Sequence, residues 1–66
     1  MFKRHSPDKK QEIAKKLIEY RKNNNLSQEE LARLVSSSVF SISRWERAKH
    51  NPTASAIKLM KIAGVL

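Results

Sequence analysis

Apolar positions return along this chain at helical spacing. Ile13, Ala14, Leu17 and Ile18, with Tyr20 close by, form one stripe at a period of about 3.6 residues. Upstream, Ser6-Pro7-Asp8 has the order of a helix start: a hydroxyl to cap, a proline whose missing N–H is no loss, an acid at the positive end of the dipole. The spacing predicts a helix from about 7 to 23, stopped by the asparagines of "KNNN", which favour turns and left-handed caps. Ser27-Gln28-Glu29-Glu30 is a capping box, so a second helix should follow, with Leu31, Ala32, Leu34 and Val35 as its apolar positions. Ser36, Ser37 and Ser38 interrupt it. The helical pattern resumes over about 38–47 with Ile42 and Trp45 on one side, and Ser38 opens it. After "AKHNP", Asn51-Pro52-Thr53 begins a last helix lined by Ala56, Ile57, Leu59, Met60 and Ala63. Gly64 is its expected stop, and Val65 and Leu66 can fold back onto the core.

No period-2 alternation occurs anywhere. The expectation is an all-α fold: a compact bundle of four to five short helices with short connections, as one domain over 6–66 behind a basic arm at 1–5. A chain of 66 residues buries only about 60% of its unfolded surface, which leaves little room for a substrate pocket and a scaffold around it.

Charge narrows the class. Lys plus Arg number 14 against 6 Asp plus Glu, a net charge of +8. Such an imbalance in a small domain attracts polyanions, nucleic acid first and an anionic membrane surface second. There are no cysteines, hence no disulfide framework and no thiolate metal site, which is compatible with a reducing cytoplasm. No apolar run approaches the length of a membrane span, and "MFKRHSPDKK" lacks the apolar stretch of a signal peptide. A cytoplasmic location is the expectation. His5 and His50 have no ligand-type neighbours in sequence, so no metal is expected, and no cofactor either. Asp8, Glu12 and Glu19 make no acid/base set, and neither a nucleophile–base arrangement nor a glycine-rich phosphate loop is present; an enzyme is not expected.

The third helix carries the most specific chemistry. With Ile42 at the centre of its inward face and about 100° per residue, Trp45 falls beside it and Glu46 near it. Phe40, Arg44 and Arg47 point away, with Ser43 between, and Val39 lies at the border, open to either side. The outward face thus holds an aromatic ring, arginines and hydroxyls, and no acid. Such a set suits a DNA major groove: arginine to guanine or phosphate, hydroxyls to phosphate or base, apolar groups to thymine methyls. The run Lys9, Lys10, Lys15, Lys16 is read as a solvated face that strengthens the attractive field.

"LSQEELARLVSSSVFSISRWERAKHNPT" (26–53) resembles the helix-turn-helix of the Cro/phage-repressor family. The pattern is matched without a gap at Leu26, Ser27, Gln28, Glu30, Leu31, Ala32, Ser38, Ile42, Ser43, Trp45, Glu46, Pro52 and Thr53. The resemblance implies a lambda-repressor-like domain that binds double-stranded DNA. It implies base reading by Ser38, Val39, Phe40, Ser43 and Arg44, and phosphate contacts by Ser27, Gln28, Arg47 and Lys49. Lys3 and Arg4 are candidate arm contacts, and Arg21 and Glu46 occupy the positions of a structural ion pair. The implied role is transcriptional regulation, most often repression, by a homodimer on a two-fold site. Two rival readings remain: an antitoxin using the same module beside a toxin partner, and a non-specific polyanion or membrane-surface binder. The sequence departs from the family pattern at two glycines, replaced by Ser36 and Ala48, and at the apolar residue after the turn, replaced by Ser37. If the backbone there has positive φ, each non-glycine residue costs about 1 kcal/mol or more.

Overall fold

Each helix ends where its local chemistry directs. The computed structural model describes residues 9–66; the expected arm at 1–5, with Lys3, Arg4 and His5, and the helix start at Ser6-Pro7-Asp8 lie outside them. The described residues form α1 (Lys9–Asn23), α2 (Gln28–Leu34), α3 (Val39–Glu46) and α4 (Ala54–Ala63), and no strand. Ser27, Ser38 and Thr53 cap the starts of α2, α3 and α4, their hydroxyls accepting from the backbone N–H of Glu30, Ser41 and Ala56. At α2 the capping box is complete, since the Ser27 N–H also donates to Glu30 Oε1 at 2.7 Å.

All four C-termini close in one way. After α1, Leu26 N donates to Arg21 O at 2.9 Å and Asn25 N to Lys22 O at 3.3 Å. Ser37 and Ser36 do the same to Ala32 and Arg33, Lys49 and Ala48 to Arg44 and Trp45, Val65 and Gly64 to Met60 and Lys61. This is the Schellman pairing, which satisfies orphan carbonyls by placing one residue in the left-handed region. The left-handed residues are Asn25 (φ 53°), Ser36 (φ 51°), Ala48 (φ 59°) and Gly64 (φ 91°). Both family glycine positions therefore keep the glycine conformation without the glycine. Ser37 is half-buried; its N–H reaches Ala32 O at 2.7 Å and its hydroxyl donates to Val35 O at 3.2 Å, so hydrogen bonds hold a corner that lacks the usual apolar residue.

The core is the sum of the inward stripes. Ile13, Leu17, Leu31, Ala32, Val35, Ile42, Trp45, Ala56, Met60 and Val65 form one buried cluster. Helix α3 packs on both α1 and α2, and α2 also meets α4. The tail folds back as expected, with Val65 buried, and Tyr20 Oη donates to Ala63 O at 3.2 Å, joining α1 to the end of α4. Leu34 departs from expectation: it is 47% exposed. It lies about 100° from the direction shared by Leu31, Ala32 and Val35, so the face it occupies is outside the stripe.

Candidate nucleic-acid interface

The outward face of α3 is built by what its inward face must do. Ile42 and Trp45 are buried in the core, and this fixes the rotation of the helix. On the opposite side Phe40 is left 76% exposed, and at the border Val39 is 37% exposed; Arg44 and Arg47 are also exposed. Leaving a phenylalanine ring in water forgoes about 1.5–3 kcal/mol of burial free energy, a liability in a small domain unless a partner covers it.

The only carboxylate on α3 is withdrawn from that face. Glu46 Oε2 accepts from Arg21 Nε at 2.7 Å, and Oε1 accepts from Arg21 Nη2 at 3.1 Å and from Gln28 Nε2 at 2.9 Å. The Glu46 side chain is 7% exposed and that of Arg21 23%. Arg21 Nη1 donates onward to Leu26 O at 3.2 Å. The hydrogen bond to Glu46 raises the Arg21 pKa above its ordinary value, burial opposes this, and the charge of Glu46 adds to the rise. One carboxylate thus joins the end of α1, the start of α2 and the end of α3. A fork of parallel N–H···O bonds is the strong form of such a pair, and the third donor completes the satisfaction that burial demands.

The expected contact residues fall into distinct local settings. Ser27 and Gln28 stand at the start of α2, and Lys49 is exposed just past α3. Gln28, for which the family resemblance implies a phosphate contact, has one amide N–H engaged by Glu46 and a second remaining. The Ser38 oxygen serves the cap, and its hydroxyl and that of Ser41 lie 3.2 Å apart. Arg47 folds back one turn, its Nη2 donating to Ser43 Oγ at 3.1 Å and its Nε to Ser43 O at 3.4 Å. Arg44 takes part in no ion pair among the described residues, where the only one is Arg21–Glu46. The Arg21–Glu46 pairing was legible from helix phase and resemblance; Gln28–Glu46 and Arg47–Ser43 were not. The i, i+4 spacing of Ser43 and Arg47 was the available signal for the second. Nothing in the local sequence signals the first, which joins residues 18 positions apart.

Among the described residues no group of three His, Cys, Asp or Glu side chains is placed to hold a metal ion, and no helix is long and apolar enough to cross a membrane. A family model described as helix-turn-helix matches residues 17–66, which span the end of α1 through α4. Searches of curated proteins and of solved structures returned no significant match.

Proposed function

The chain belongs to the Cro/phage-repressor-type helix-turn-helix family of DNA-binding regulators, and from that premise we propose that it is a sequence-specific repressor that lays α3 in the major groove of double-stranded DNA. The observation that carries this is the outward face of α3: an exposed Phe40 beside exposed Arg44, with the helix's only acid drawn inward. Ser38, Val39, Phe40, Ser43 and Arg44 read bases. Ser27, Gln28, Arg47 and Lys49 hold phosphates and set the register of the helix. The net charge of +8 supplies the sequence-independent attraction.

A single module with this few base-reading side chains discriminates poorly, so two copies on a two-fold site, about 34 Å between reading helices, complete the function. Repression follows when such a site overlaps a promoter.

The test is a salt titration on a duplex selected from a random pool and on an unrelated duplex. Both should lose affinity with salt, with a slope of about −0.9 per phosphate contact, while the selected duplex stays tighter throughout. Equal affinity and equal slope for both would leave only non-specific polyanion binding. A selected site without two-fold symmetry would refute the dimeric arrangement.

A further inference from the structure

The fold-back of Arg47 onto Ser43 has a consequence for what Ser43 can read. A serine hydroxyl is ambiguous: it offers one hydrogen and two lone pairs, and so can face either an acceptor or a donor on a base edge. Here Arg47 Nη2 already donates to Ser43 Oγ at 3.1 Å, and Arg47 Nε is held at the Ser43 carbonyl at 3.4 Å. One lone pair is occupied, and the donor that occupies it carries a positive charge. A cytosine or adenine amino group approaching that oxygen would bring a donor against a cation. The Ser43 O–H hydrogen, by contrast, is polarised by the same neighbour and made a better donor. The carboxylate that could accept from an amino group, Glu46, is committed to Arg21 and Gln28.

We propose that Arg47 fixes the hydrogen-bonding polarity of Ser43, so that Ser43 reads an acceptor atom in the groove (purine N7, guanine O6 or thymine O4) and excludes an amino group at that position. Arg47 is the positioning residue and Ser43 the specificity determinant. Arg47 has five N–H donors, of which Ser43 takes two, so three remain for a phosphate. The same arginine therefore ties a backbone contact to a base contact, locking the phosphate register to the identity of one base. This rests on the reading above that α3 lies in the groove.

The experiment uses the 66-residue chain and a duplex selected from a random pool, remade with nucleotide analogues that delete one acceptor (N7, O6 or O4) or one amino group (N6 or N4) at a time. At one position per half-site, acceptor deletion should weaken binding about fivefold, and Ser43→Ala should abolish that sensitivity. Arg47→Lys keeps a charge for the phosphate but loses the planar fork. It should flatten base preference at that same position while leaving discrimination elsewhere intact. Circular dichroism confirms that both variants keep their helices. Three results would each overturn the proposal: a Ser43-dependent loss on deleting an amino group, acceptor sensitivity that persists in Ser43→Ala, or unchanged preference in Arg47→Lys. Failure to enrich any duplex would instead refute sequence-specific binding itself, which separates the two claims.

Discussion

Replacing Ser36 with glycine should stabilise this protein. Ser36 holds φ 51° at the turn between α2 and α3, a region in which Cβ crowds the following carbonyl. That strain is about 1–2 kcal/mol. Against it stands the larger unfolded-state freedom of glycine, about 0.5–1 kcal/mol. Ser36 is exposed, and its contribution to the cap is its backbone N–H, bonded to Arg33 O at 3.2 Å, which glycine also supplies. The net expectation for Ser36→Gly is a gain of about 0.5–1 kcal/mol, or roughly 4 °C in Tm for a domain of this size. Ala48→Gly, at φ 59°, should gain less, because the half-buried methyl is lost with the strain. Asn25→Gly should gain least, since asparagine tolerates the left-handed region. Gly64 supplies the opposite control: at φ 91°, with nothing within 4 Å of an added Cβ, Gly64→Ala introduces strain without a clash and should lose about 1 kcal/mol. Thermal and urea unfolding of the four variants measures the series. A Ser36→Gly protein that is no more stable than the parent, alongside a destabilised Gly64→Ala, would refute the idea that Ser36 is strained.

Further expectations concern the junction and the outward face of α3. Arg21→Ala leaves a nearly buried Glu46 without its fork and should cost about 3 kcal/mol in urea unfolding, whereas Gln28→Ala removes one of three donors and should cost about 1 kcal/mol. If Gln28 also holds a phosphate, Gln28→Ala weakens binding to all duplexes by a similar factor in a titration read by anisotropy. Arg44→Ala should relax sequence preference at one position, by about 1–3 kcal/mol of discrimination, in a competition between the selected site and its point variants; unchanged discrimination would remove Arg44 from the base-reading set. Phe40→Ala should leave stability nearly unchanged, because the ring is 76% exposed, yet weaken the selected duplex. A loss of stability comparable to that of a core truncation would place Phe40 among the packing residues instead.

The caps made the fold readable. Ser27, Ser38, Thr53 and Gly64 each announce a helix boundary by local chemistry, and the observed helices begin or end at those residues. The inward stripes were equally legible, since Ile42 and Trp45 fix the third helix by phase alone. Leu34 misled because a short helix provides too few turns to show whether an apolar residue belongs to the stripe or its flank. The site was legible in outline: exposure of Phe40 and Arg44 follows from the same phase. Its fine structure was not. That Gln28 reaches Glu46 depends on how closely two helix ends approach, and that distance is set by core packing. The left-handed conformation of Ser36 and Ala48 was an open condition in the sequence, because serine and alanine carry no signal for it; the Schellman pairings at both ends decide it.

The three-way junction at Glu46 separates α3 into two sets of positions with different rules for redesign. Ile42, Trp45 and Glu46 face the body of the protein and hold the helix in place through α1 and α2. Val39, Phe40, Ser43, Arg44 and Arg47 are free of that duty. On the proposed reading, a new specificity is grafted by exchanging only the latter set, like a key blank recut along one edge. A graft that also replaced Glu46 would carry the new residues on a helix no longer tied to α1 and α2.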